Sequence, residues 1–113
     1  MEDPGSYFKE LYKNFNERNI DLVLANTAPT VKWANGMEGG YVYGQEAVKE
    51  YWTRQFNLVS STVTPMEIKE VAGEVVIKVQ QVVHDLDGNL LSDQMVEHVF
   101  LMDKNKITEF NIR

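Results

Sequence analysis

The carboxy-terminal half constrains the fold more than any other feature of this chain. Four runs rich in β-branched residues, Thr62 to Val71, Val75 to Leu86, Asn89 to Met102 and Ile107 to Ile112, follow one another with almost nothing between them. The gaps carry turn chemistry at Ala72-Gly73, Asp87-Gly88 and Lys104-Asn105, and gaps this short reverse the chain into hairpins. A parallel connection would need a dozen residues or more, so a meander of antiparallel strands is expected. Strands of about ten residues in so small a sheet must twist and curl, which leaves a concave face to be filled.

The amino-terminal half supplies the filling. Phe8, Leu11, Tyr12 and Phe15 recur at helical spacing after Ser6, a candidate cap, and Asn16 to Asn19 should end that helix. Asn19 or Asp21 can cap a second short helix carrying Leu22, Val23, Leu24 and Ala28, with Pro29 stopping it. Val31, Trp33 and Asn35 then alternate with Lys32 and Ala34 as in a short strand. A glycine-marked loop at Gly36, Gly39 and Gly40, holding Met37 and Glu38, precedes a third helix from Gln45 to Phe56 with Ala47, Val48, Tyr51, Trp52 and Phe56 inward. Helices first and strands afterwards is the α+β order.

Both faces of the sheet carry apolar residues. Val75, Ile77, Val79 and Val83 share one face of their strand, while Val76, Val82 and Leu86 share the other. A sheet covered on both sides reads this way, so a homodimer formed through the outer face is expected.

Composition narrows the function classes. A chain of 113 residues with 43% hydrophobic content suits one domain, residues 1 to 113. The net charge of −6 should repel nucleic acid and anionic membranes. The absence of cysteine rules out disulfides and thiolate chemistry, and two histidines, His84 and His98, argue against a metal centre. The start, Met1-Glu2-Asp3-Pro4-Gly5-Ser6, is acidic where a secretory signal would be basic and then apolar, and no apolar run approaches the roughly 20 residues that span a bilayer. A cytoplasmic protein without a cofactor is the expectation.

The stretch GMEGGYVYGQEAVKEYWTRQF from Gly36 to Phe56, the earlier FNERNIDLVL from Phe15 to Leu24 and the hairpin HDLDGNLLSD from His84 to Asp93 resemble the SnoaL-like branch of the nuclear transport factor 2-like superfamily. That superfamily includes ketosteroid isomerases, polyketide cyclases and dehydratases. The resemblance implies a cystatin-like α+β cone, a curved antiparallel sheet wrapped around three amino-terminal helices and enclosing a pocket. It also implies a frequent dimer.

Carried over residue by residue, the ketosteroid isomerase pattern places Asn35 where that family has its catalytic aspartate. Leu11 stands where a tyrosine donates to the enolate, with Tyr12 one residue and about 100° around the helix. Trp52 stands where a supporting tyrosine would be, and Glu97 corresponds to the second pocket acid. The base and the donor are therefore replaced, while one carboxyl group is kept.

Strand parity adds to this. Glu97 shares a face with Asp93, Met95, Val99 and Leu101, so an inward Val99 and Leu101 would bring Met95 and Glu97 inward too; a surface ion pair on a sheet edge is the alternative place for Glu97. Burial would raise the Glu97 pKa toward neutrality. Trp33 and Asn35 share the inward face of their strand, and Gln81 shares that of Val79 and Val83. Tyr12 and Tyr51 read as helix packing, Tyr41 and Tyr43 as lining an entrance, and His98 as an outer-face residue.

The expected ligand is a small apolar organic molecule held by Leu11, Trp33, Asn35, Trp52, Gln81, Met95, Val99 and Glu97. The expected reaction, if any, is cofactor-free proton transfer of the isomerase, cyclase or dehydratase kind, with Glu97 as acid or base. A non-catalytic dimeric binding or protein-interaction module fits the replaced base and donor equally, so the residues leave both readings open.

Overall fold

Two of the three turns take a left-handed backbone at both central residues. In the computed structural model, which describes residues 4–36 and 39–113, Ala72 and Gly73 have φ of 49° and 82°, and Lys104 and Asn105 have 51° and 65°. Such paired positive φ values match the right-handed twist of the flanking strands. The Asp87-Gly88 turn is wider. There the Asp85 carboxylate accepts the backbone N–H groups of Asp87 and Asn89 and the Asn89 amide, each at 2.9 Å.

The elements run α1 (Pro4–Asn16), α2 (Ile20–Leu24), β1 (Thr27–Ala34), β2 (Tyr41–Tyr43), α3 (Gln45–Phe56), β3 (Val59–Val71), β4 (Glu74–Asp85), β5 (Leu90–Asp103) and β6 (Lys106–Ile112). They form one six-stranded sheet in the order β2-β1-β6-β5-β4-β3. Strands β3 to β6 are the expected antiparallel meander. The sheet as a whole is mixed rather than purely antiparallel, because β1 lies parallel to β6. The segment joining those two strands contains the rest of the sheet and is ample for a parallel pairing.

Local signals near the amino end misplace three boundaries. Helix α1 starts at Pro4, so Ser6 lies inside it and is not its cap; a proline in the first helical turn gives up an N–H that would have had no partner. Helix α2 stops at Leu24, and Ala28 and Pro29 belong to β1. Pro29 is tolerated in a strand because it falls between Thr27 and Lys32, where the register with β6 shifts. Tyr41 to Tyr43, within what reads as loop, pair with β1 as a short edge strand. Met37 and Glu38 lie outside the described residues.

Bulges bend the sheet into a cone. Register shifts fall between Pro65 and Glu67, between Val83 and His84, and between Leu101 and Met102, and each extra residue bends its strand and adds twist. Polar side chains fasten the helices to the hollow side. Asn16, at the end of α1, bonds both backbone groups of Val63, accepting its N–H at 2.9 Å and donating to its carbonyl at 2.8 Å. Gln45 opens α3 by donating to the carbonyls of Leu24 and Thr27 at 3.2 and 3.0 Å. Gly44 supplies the turn before it, with φ of 87°, a conformation that side chains rarely adopt.

The core lies between α1, α3 and the concave face. Phe8, Val31, Val48, Ile77, Val79 and Ile107 are fully buried there. Fully burying such side chains contributes about 1.5–3 kcal/mol each. No helix among the described residues is long and apolar enough to cross a membrane.

Candidate functional site

The helices do not fill the cone completely. A cavity of about 320 Å³ remains between α1, α3 and the sheet. Its wall is largely aromatic. Trp33 of β1 stacks on Phe110 of β6 with centroids 4.2 Å apart and meets Trp52 of α3 edge-on at 5.0 Å. Phe15 of α1 meets Trp52 edge-on at 5.5 Å. Edge-to-face contacts of this kind hold flat side chains in fixed orientations, so the wall is shaped before any ligand arrives. Volume and lining fit the general description of a small-molecule site, mostly apolar with a few placed polar groups.

The polar groups come from three places. Gln81 of β4 and Gln94 of β5 are register partners and both line the cavity. Ser61 of β3 and Gln55 of α3 add a hydroxyl and an amide. Deeper in the wall, the Tyr12 hydroxyl lies 2.7 Å from Nδ1 of His98, and both residues line the cavity while being almost wholly buried. No aspartate, glutamate, lysine or arginine lines the cavity among the described residues.

Burial sets the charge state of that pair. It lowers the His98 pKa from 6.5 to about 4 and pushes the Tyr12 phenol well above its ordinary 10. A neutral imidazole therefore faces a protonated phenol at physiological pH. The hydrogen bond can run either way: Tyr12 O–H donates to Nδ1 when Nε2 carries the ring proton, or Nδ1–H donates to the Tyr12 oxygen when it does not. In the second state the phenol proton is free to donate elsewhere and Nε2 is an acceptor. The pair can thus present a donor or an acceptor to a ligand.

This arrangement corrects the parity read from the sequence. On β5 it is His98 and Phe100 that face the cavity. Glu97 points to the outer face, where its side chain is 51% exposed and lies 4.0 Å from the Arg113 guanidinium. Met95 is likewise outward and exposed, and Val99 is buried but does not line the cavity. Alternation alone could not fix the phase, because apolar residues occupy both parities of this strand. Leu11, Trp33, Trp52 and Gln81 do line the cavity, whereas Asn35 lies beyond the end of β1 and does not. Its backbone N–H donates to the Gly40 carbonyl at 2.9 Å, closing the loop.

Four tyrosines also take places other than those expected. Tyr12 and Tyr51 line the cavity in addition to packing their helices. Tyr41 and Tyr43 do not line it. Tyr41 donates to Asn111 at 2.6 Å, with Lys32 over its ring.

Solved structures with the same layout fix the architecture. An NTF2-like protein of unknown function from Burkholderia pseudomallei superposes with a TM-score of 0.86 at 22% identity, over 100% of this chain and 91% of that one. The fold is the nuclear transport factor 2-like cone. TerC co-crystallised with polyporic acid has this fold too, with a TM-score of 0.80 at 24% identity over 91% and 84% of the two chains. An uncharacterised cystatin-fold protein from Novosphingobium aromaticivorans gives 0.79 at 16% over 93% and 92%. No protein-family model and no curated protein matches the sequence. At these identities the shared property is the cone itself, and the chemistry must be argued from the side chains inside it.

Proposed function

We propose that this protein binds a small, mainly apolar organic molecule inside the cone, with the ligand's polar group against Tyr12 and His98. The observation that carries the reading is the cavity of about 320 Å³ with an aromatic wall and one buried hydrogen-bonded pair. Apolar contact with Trp33 and Trp52 supplies most of the affinity, and the polar groups orient the molecule. TerC, whose crystals contain polyporic acid, provides a precedent for ligands on this fold. Acid–base chemistry, where there is any, falls to His98 and Tyr12, because Glu97 lies outside.

Ligand binding is measurable through the tryptophans themselves. Titration with 2-naphthol, an uncharged two-ring phenol, should quench their fluorescence saturably, and native mass spectrometry should show one molecule per chain. No quenching and no mass increment, with a protein partner co-purifying instead, would establish the non-catalytic interaction module.

The outer face supports the proposal of a homodimer. Val76 is half-buried there, and the next row along on that face is Lys78 beside Glu97. Met95, 49% exposed, follows on the same face. Alternating apolar and charged rows can be self-complementary across a two-fold axis. Light scattering at micromolar concentration should give twice the chain mass; a single-chain mass would remove the dimer.

A further inference from the structure

We propose that the outer end of the cavity recognises an amide group of the ligand, a primary carboxamide or a ring lactam, through Gln81 and Gln94; this rests on the binding function above and adds the ligand's second functional group. The pattern of glutamine partners carries the inference. The chain has five glutamines. Gln45 donates to the carbonyls of Leu24 and Thr27, and Gln80, on the outer face of β4, donates to Asp93 at 3.2 Å. The other three, Gln55, Gln81 and Gln94, make no side-chain hydrogen bond with any described residue, and all three line the cavity. The fold satisfies its glutamines everywhere except there.

Register brings two of these amides together. Gln81 and Gln94 are directly opposed on β4 and β5, and side chains so placed on one face start about 5 Å apart. Gln55 reaches the cavity from α3, and Ser61, itself buried, adds a hydroxyl on β3. The other polar group, Tyr12 with His98, lies deeper. His98 is four residues further along β5 than Gln94, or about 13 Å of strand. His98 is buried and Gln94 is exposed, so the glutamine pair stands at the outer end. A ligand that meets both ends is elongated, with a polar group at each end and an apolar middle.

An amide selects its own kind. Each glutamine offers an N–H donor and a carbonyl acceptor side by side. A ligand amide can close two hydrogen bonds with Gln81, donating its N–H to the glutamine carbonyl and accepting the glutamine N–H. A primary amide then has a second N–H for the Gln94 carbonyl. A ketone, an ester or a carboxylate only accepts, so it leaves both glutamine carbonyls without a donor. In the free protein those carbonyls are open to water, and a ligand that displaces water without replacing its hydrogen bonds loses affinity. Gln81 is half-buried, which makes that loss larger.

Two probes of one shape test this. 6-Hydroxy-2-naphthamide carries a hydroxyl for Tyr12 and His98 at one end and a carboxamide at the other, and 6-hydroxy-2-acetonaphthone has a methyl group in place of the amide nitrogen. Affinities are read from tryptophan fluorescence. The amide should bind about tenfold or more tighter than the ketone. Gln81→Met and Gln94→Met should each shrink that ratio to within about threefold, whereas Gln80→Met, on the outer face, should keep it. Each ratio is taken within one protein, so a general loss of affinity cancels. Gln94 is exposed, so Gln94→Met carries the test if Gln81→Met does not fold. Equal binding of amide and ketone, a ratio that survives both inner substitutions, or a ratio lost equally in Gln80→Met overturns the amide site and leaves the binding function standing. Binding of 2-naphthol with neither of the two larger probes does the same. Failure of all three compounds to bind overturns both.

Discussion

Glu97 and His98 are neighbours in the chain, yet the two faces of β5 give them opposite environments. On the convex face the Glu97 carboxylate is half exposed and pairs loosely with Arg113. On the concave face the His98 imidazole is buried against Phe110 and bonded to Tyr12. A buried imidazole is held neutral and becomes a tunable donor or acceptor. Which residue can do chemistry on this strand is thus decided by the direction in which each one points.

Substitutions on the two faces should separate widely. Trp52→Ala, on the concave side, removes a fully buried side chain from the wall and should cost about 3–5 kcal/mol in urea unfolding. Met95→Ala, on the convex side, should change the monomer by no more than about 0.5 kcal/mol. Equal losses from both would erase the contrast.

Acid should act through the inner face. Because the folded state lowers the His98 pKa from 6.5 to about 4, the unfolded chain takes up the proton first as pH falls. The stability tied to neutral His98 is fully present above pH 6.5, declines as pH drops toward 4 and levels off below. Its size is roughly 3 kcal/mol at 1.36 kcal/mol per pKa unit. Urea titrations in pH steps should show that slope in the wild type and lose it in His98→Phe. A slope unchanged in the variant would assign it to other groups.

Tyr12→Phe leaves the His98 Nδ1 buried without its partner, so a smaller loss of about 1–3 kcal/mol is expected. Any gain in stability would show that the hydrogen bond is strained. Glu97→Gln should produce the smallest effect, within about 0.5 kcal/mol, since exposed ion pairs contribute little. It should also leave ligand binding unchanged; weaker binding in this variant would bring the carboxylate back into the site.

Much of the site was within reach of the sequence. The inward face of β4, with Ile77, Val79 and Gln81, is legible from alternation. Taking Asp87-Gly88 as the hairpin turn and counting outward pairs Ile77 with His98 and Lys78 with Glu97, which is the observed register. Directly opposed residues share a face, so the turn placed His98 inward where apolar alternation on β5 alone could not. Tyr12 had a signal as well, since it shares the helical stripe of Phe8 and Phe15. Nothing local marked β2 or the parallel pairing of β1 with β6, which depend on contacts between distant segments.

The sequence by itself determined the α+β order, the helix from Gln45 to Phe56, the meander and its turns, because these follow from short-range periodicity and backbone preference. Only the tertiary structure decided that Tyr12 and His98, 86 residues apart, meet at 2.7 Å. The reason is physical. A residue's neighbours fix its local conformation, but the desolvation and partners that set its chemistry come from whichever remote segments the folded chain packs around it.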